Sequence, residues 1–290
     1  MNKFILLGLI VLLAACQVGD ASTSTSAAAS VYIENKGSDT MVNLALAWAE
    51  RYQKLHPEVS LSVTGGGSGT GIAALINNTV GIANASRKIK QEEIDAAEAK
   101  GITPVEFTVA RDAIGIIVNH ENPIDELTLL QLADIFTGRI NNWAELGGQD
   151  LEIVRLSRET NSGTHVYFLE TVIRLGNKEN HDIFSRDTLL LPSSEGIITE
   201  VRDNPHAIGY DGLGYITAEV KVIAVAKDAI SPYILPSVDT VNDKSYPIAR
   251  DLYMYTPGEP SPAVKAYIEW ILSSDGQQLV RELGFVPITP

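Results

Sequence analysis

An α/β fold in two lobes, each a mixed, mainly parallel sheet flanked by helices, is predicted by three observations. The chain has 290 residues, 45% hydrophobic and 20% charged, which suits a packed protein of two ordinary lobes. From Val31 onward, short apolar runs alternate with amphipathic runs, the pattern of βαβ units. Bendable segments at Arg111-Asp112 and Gly209–Gly214 bracket a middle stretch of different character, after which alternation resumes. The expected division is 31–111 plus 215–290 for lobe 1 and 112–214 for lobe 2. No internal repeat of fixed period is visible.

The first residues read as an export signal. Lys3 precedes FILLGLIVLLAA, Phe4–Ala15, which is apolar but shorter than the roughly 20 residues a membrane-spanning helix needs. LAAC follows, and Cys16 is the only cysteine, so no intrachain disulfide can form. The pattern predicts cleavage after residue 15 and a lipid on the Cys16 thiol, which would anchor the protein to a membrane outside the cytoplasm. Residues 16–30 are small and polar, a flexible tether.

VYIENK (Val31–Lys36) reads as a strand. Thr40–His56 reads as a helix, because Met41, Leu44, Ala45, Trp48, Tyr52 and Leu55 recur at three- and four-residue spacing and Pro57 stops it. Ser60–Thr64 is a strand, the run GGGSGTG (Gly65–Gly71) a turn, and Ile72–Asn78 a helix. Val80–Ala85 is a buried strand and Gln91–Gly101 a helix closed by glycine. PVEFTVA and AIGIIVN are strands on either side of Arg111-Asp112. Leu127–Gly148 is a helix, a turn at Gly138 and a loop around Trp143, a residue expected to pack rather than bind. Glu152–Ser157 is a strand, Ser193–Asn204 a helix capped by serine, and His206–Ile216 a glycine-punctuated strand. RDLYMYT (Arg250–Thr256) is a strand, followed by helices over Pro262–Ser273 and Asp275–Leu283.

Four corners where a strand ends carry hydroxyls: GSDT (Gly37–Thr40), GGGSGTG, ASR (Ala85–Arg87) and TNSGTH (Thr160–His165). The first N–H groups of a helix have no partner within it, and the helix dipole places partial positive charge there. Glycine lets an anion approach the backbone, and serine and threonine hydroxyls rotate to donate, so such corners suit a tetrahedral anion. Arg87 and Arg158 offer forked, charged donors. Each corner alone is equally a helix cap or a tight turn. Their coincidence at strand–helix ends argues for a shared anion site.

Other chemistries fit less well. A formal net charge of −14 disfavours nucleic acid, whose phosphates need clustered lysine and arginine. Gly66 and Gly71 have the spacing of a P-loop, but Ile72 stands at the lysine position. Gly65 and Gly67 would need glycine at Thr70 for a dinucleotide fingerprint. His56, His120, His165, His181 and His206 show no metal-ligating spacing. Ser68 lacks the last glycine of a nucleophile elbow, although a triad with His165 stays open from sequence.

GSDT, GGGSGTGIAAL, ASRKI, LTLLQLADIFTGRINNW and RETNSGTH, in this order from Val31 to Phe285, resemble the periplasmic phosphate-binding proteins of Pst-type ABC transporters. The resemblance implies a type II periplasmic-binding-protein fold that closes on inorganic phosphate as a monomer, without cofactor or reaction, and delivers it to a membrane permease. It implies binding by Ser38, Thr40, Ser68, Gly69, Thr70, Ser86 and Arg87 from lobe 1. Ser162, Gly163 and Thr164 would bind from lobe 2, with Arg158 pairing the anion or the site's acid. Phosphate near neutral pH carries a proton and sulfate does not, so a carboxylate acceptor would discriminate between them. Asp112 is the expected acid, with Asp39 the alternative; where some relatives place an acid after the third-corner serine, this chain has Arg87. Sulfate or molybdate binding, a phosphatase-like hydrolase and a secreted adhesion protein are the competing readings.

Overall fold

The computed structural model describes residues 31–288, so the expected signal, tether and Cys16 lie outside the described residues. No described helix is long and apolar enough to cross a membrane. The chain opens with β1 (Val31–Gly37), a 3-10 turn (Asp39–Met41), α1 (Val42–Leu55), β2 (Val59–Thr64), α2 (Ser68–Ile76), β3 (Ile82–Ala85) and α3 (Gln91–Glu98). β1 pairs in parallel with β2 on one side and β3 on the other. α1 buries Leu44, Ala45, Trp48, Ala49 and Tyr52, the face its periodicity predicts, but leaves Leu55 in its last turn exposed. α2 starts earlier than expected: Gly67, at φ 90°, caps it and Ser68-Gly69-Thr70-Gly71 form its first turn. The glycine run is therefore half turn and half helix.

β4 (Val105–Val118) is one continuous strand of 14 residues, not two strands broken at Arg111-Asp112. Its first part pairs antiparallel with β10 (Ala249–Thr256), in a register that sets Asp112 opposite Arg250. From Ile114 it pairs antiparallel with β8 (Ala207–Gly212). With β6 (Val154–Arg158) and β7 (Leu189–Leu191), the strand order β2-β1-β3-β10-β4-β8-β6-β7 thus runs through both lobes, with β4 as the member common to both.

The second lobe holds β5 (Glu126–Thr128), α4 (Leu129–Thr137), a 3-10 turn (Trp143–Leu146), β6 (Val154–Arg158) and α5 (Gly163–Phe168), which widens into a π-turn (Leu169–Ile173). β7 (Leu189–Leu191), α6 (Ser194–Asp203), β8 and a 3-10 turn (Leu213–Tyr215) follow. β6 is parallel to both β7 and β8. Two motifs explain their sequence here. Thr128 and Gln131 form a capping box on α4, and Gly138 ends it at φ 80°. Arg155, nearly fully buried, donates to the Ile135 and Ile140 carbonyls and to Asn141, tying the turn after α4 to β6. Trp143 is buried and its indole N–H donates to the His206 carbonyl at 3.0 Å, a packing role as expected.

The chain touches the lobe 1 core at Tyr215, where the return was expected, and then leaves it again. β9 (Lys221–Ala226) pairs with the distal part of β4 and with β5, and α7 (Val238–Asn242) covers the same core. Ile223, Val225, Val241, Tyr246 and Ile248 belong to the cluster built around Phe136, Trp143 and Phe168. Only with β10, α8 (Pro262–Ile271) and α9 (Ser274–Glu282) does the chain rejoin lobe 1, where Tyr267, Ile268, Ile271 and Val280 pack on Ile33, Leu44 and Trp48. Each such fully buried apolar side chain contributes about 1.5–3 kcal/mol. The second excursion was hidden because residues 217–248 carry no long periodic run, so local pattern gave no lobe assignment.

Candidate functional site

The C-terminal ends of β1 and β3 and the first turn of α2 lie together at one edge of lobe 1. Gly71 makes this possible: a Cβ there would meet the Lys36 carbonyl and Gly37 Cα, so α2 starts directly against the end of β1. Ser68 Oγ accepts from the Ser86 N–H at 3.0 Å and lies 3.3 Å from Ser86 Oγ, joining two corners. Ser38, Thr40, Ser68 and Ser86 are all buried, and Ser38 Oγ has no hydrogen-bond partner among the described residues.

The start of α5 meets this edge from lobe 2. A Cβ on Gly163 would collide with Ser68 Oγ and Ser86 Oγ, so only glycine fits between them. Ser162 caps α5, accepting from the Thr164 N–H at 3.2 Å. Thr164 Oγ1 is 2.8 Å from Thr40 Oγ1 across the lobes. Three of the four corners are therefore joined by direct contacts to the fourth, and their hydroxyls line one buried cradle.

The charge in this cradle comes from an arginine that sequence reasoning missed. Arg250 Nη2 donates to Thr164 Oγ1 at 3.0 Å and Thr40 Oγ1 at 3.4 Å, and to Asp112 Oδ2 at 2.9 Å. Its Nη1 is buried without a partner among the described residues, and its guanidinium stands 5.7 Å from the centre of the Tyr167 ring. Asp112 is fully buried; its Oδ1 accepts from the Leu213 N–H at 3.0 Å. Burial pushes the Asp112 carboxyl up from its ordinary range, with the Arg250 charge pulling the other way. The available signal was Arg250 near the start of a strand otherwise rich in apolar and aromatic residues apart from Asp251, ARDLYMYT, on β10.

Four expected binders are otherwise engaged. The Gly69 N–H donates to the Asn161 carbonyl at 2.9 Å. Thr70 Oγ1 donates to the Gly66 carbonyl at 2.5 Å. Arg87 forms a two-pronged ion pair with Glu93, at 2.8 and 2.7 Å, and also donates to the Lys88 carbonyl. Arg158 donates to Asp39 Oδ2 at 2.9 Å, Ser194 Oγ at 2.9 Å and the Pro192 carbonyl at 2.8 Å. Arg158 thus pairs Asp39 and not Asp112, the expected acid; the other oxygen of Asp39 accepts from the Gly66 N–H at 2.8 Å. In each case a protein acceptor takes the donor that the motif offered to an anion.

A second buried acid lies behind Arg158. Asp211 Oδ1 accepts from Ser194 Oγ at 2.9 Å and from the Gly212 N–H at 2.7 Å, while Oδ2 has no partner. Burial raises its carboxyl to about 6, against the pull of Arg158. His165 is held by Ser157, whose Oγ is 3.0 Å from Nδ1, and stacks on Phe184; burial lowers it to about 4. It is thus a neutral packing residue hydrogen-bonded to Ser157, with no bond to Ser68. Among the described residues, no group of three metal-ligating side chains occurs.

Known proteins give the comparison. Residues 22–275 match the family model described as a PBP superfamily domain. The phosphate-binding protein PstS of Pseudomonas aeruginosa is 32% identical over 273 residues, covering 88% of this chain and 83% of that protein. The protein of the same name from Bacillus subtilis is 31% identical over 300 residues, covering 99% and 95%. A crystal structure of a putative phosphate ABC transporter substrate-binding protein with bound phosphate, from Clostridium perfringens, superposes with a TM-score of 0.79 at 31% identity, covering 89% of this chain and 100% of that one.

Proposed function

The chain belongs to the PBP superfamily, and from that premise we propose that it captures inorganic phosphate outside the cytoplasm and delivers it to the permease of an ABC transporter. The observation that carries this reading is the single Arg250 guanidinium joining Asp112 to Thr40 and Thr164, beside the Ser68–Ser86 pair. Donors from both lobes then converge with one acceptor. The hydroxyls of Ser38, Thr40, Ser68, Ser86 and Thr164, the Ser68 and Gly163 N–H groups at the starts of α2 and α5, and Arg250 replace the water around the anion. Each hydrogen bond to a charged group contributes about 1.5–3 kcal/mol.

Asp112 is the discriminating group. Its carboxylate accepts a hydrogen bond from the proton of hydrogen phosphate, while sulfate would set negative charge against it and offer no hydrogen there. Arg250 holds this acid in place and offsets its charge. No bond is made or broken in the ligand; the protein is a carrier and not an enzyme.

Export and anchoring complete the proposal. Cys16 carries a lipid after removal of residues 1–15, and residues 17–30 tether the two lobes to a periplasmic or cell-surface membrane face. Cys16→Ser should release the protein from the membrane fraction and abolish labelling by radioactive palmitate; retention of both would remove the anchor from the proposal. Calorimetry with phosphate, arsenate, sulfate and molybdate tests the ligand. Phosphate should bind at micromolar or lower concentration and sulfate far more weakly, and a lack of phosphate binding below the millimolar range would overturn the reading.

A further inference from the structure

We propose that Asn161 is a latch: it grips the glycine turn of lobe 1 from lobe 2, and so sets the affinity for the ligand without touching it. The inference rests on the cleft being the phosphate site, and it names what holds that cleft shut.

Asn161 sits in the turn between β6 and α5, one residue before the cap of α5. Its carbonyl accepts the Gly69 N–H at 2.9 Å, and its Nδ2 donates to the Gly66 carbonyl at 2.9 Å and to Thr70 Oγ1 at 3.4 Å. One residue thus addresses both the turn and the first helical residues of GGGSGTG. Gly67 is shaped for it: its φ of 90° favours glycine, and a Cβ there would stand 2.8 Å from the Asn161 carbonyl oxygen. The Asp39–Arg158 ion pair lies alongside, because Asp39 also holds the Gly66 N–H.

None of these contacts uses a hydroxyl of the cradle, Arg250 or Asp112. Their free energy is available with or without an anion, so they bias the lobes toward closure in both states. Binding-competent protein becomes a larger fraction of the whole, and release requires the latch to open first. Affinity then depends on Asn161 mainly through the dissociation rate. Asn161 is exposed, so its replacement leaves the lobe cores untouched.

Two variants test this. Asn161→Ala removes the two side-chain bonds and keeps the carbonyl. Asn161→Asp keeps the shape and sets a carboxylate oxygen against the Gly66 carbonyl. We expect the phosphate dissociation rate to rise about three- to tenfold in the first and at least tenfold in the second, with the association rate little changed and the melting temperature of the unliganded protein within a few degrees of wild type. Small-angle scattering of the purified protein without phosphate should give a larger radius of gyration for Asn161→Asp than for wild type, and equal radii at saturating phosphate. Wild-type dissociation rates in both variants, or identical unliganded radii, would overturn the latch. If wild type itself fails to bind phosphate, the scattering comparison still decides the latch, and the functional reading fails separately.

Discussion

Arg250 carries the heaviest electrostatic duty of any single side chain in the cleft. Its pair with Asp112 is buried on both sides, so removing one partner leaves an uncompensated charge, at a cost of about 3–5 kcal/mol. Arg250→Lys keeps the charge but loses the fork that reaches Asp112 and both threonines. Phosphate affinity should fall about ten- to hundredfold by calorimetry, with a lower melting temperature. Asp112→Asn should weaken phosphate binding or narrow the gap between phosphate and sulfate; unchanged titrations with both anions would remove Asp112 from discrimination. Asp211 makes a prediction about pH. Its folded-state value of about 6 lies above the ordinary 3.8, so the native state holds the proton more tightly than the unfolded chain. The stability this contributes is full at pH values below the ordinary one and is lost as pH rises through about 6, a swing of about 3 kcal/mol. Asp211→Asn, which buries no charge, should match wild type near pH 4 and exceed it near pH 7.5, as read by thermal melts across that range. Residues on turns were legible because hydroxyls and glycines at strand–helix corners have a local reason to be there. Arg250 was not, since its partner Asp112 is 138 positions away and no motif links them.

At the level of elements, the two helix starts are the working parts. α2 and α5 face each other so closely that Gly163 rests against Ser68 and Ser86. Gly163→Ala should therefore act on closure of the cleft: phosphate affinity should drop at least tenfold while the melting temperature of the unliganded protein moves little. A large loss of stability with retained affinity would contradict this placement. Sequence pattern located β1, α1, β2, β3, α4, α6, β10, α8 and α9 because each has a clear period or cap. It misplaced the start of α2, since glycine normally argues against helix and here four helical residues, Ser68–Gly71, include two glycines. It also split β4 at Arg111-Asp112, because charged residues inside an apolar run look like a break. Pairing with Arg250 across the sheet is what lets the strand continue.

For the molecule as a whole, the field opposes the task. A net charge of −14 repels an incoming anion, and only short-range donors in the cleft overcome it. Salt should then help: raising ionic strength from about 10 to 100 mM shortens the screening length from about 30 to 10 Å. The association rate for phosphate, followed by stopped-flow, should rise over that interval. A fall would mean that the cations of the cleft dominate at long range. The two-lobe architecture was readable from alternation and from the change of character after residue 112. The extent of lobe 2 was not, because β9 joins it through pairing with β4 and β5, a long-range choice that leaves no local trace.

β4 runs unbroken through both sheets, and Asp112 lies one pair before the last, Ala113 with Ala249, at which it passes from one to the other. In any pair of jaws the fulcrum moves least. Asp112, the acid assigned to discrimination in the proposed function, sits at that fulcrum with Arg250 beside it, while Gly163 and Thr164 lie on the opposite arm. On that proposal an arriving ion would meet a fixed probe before the far arm closes, so rejection of the wrong ion would need no completed stroke.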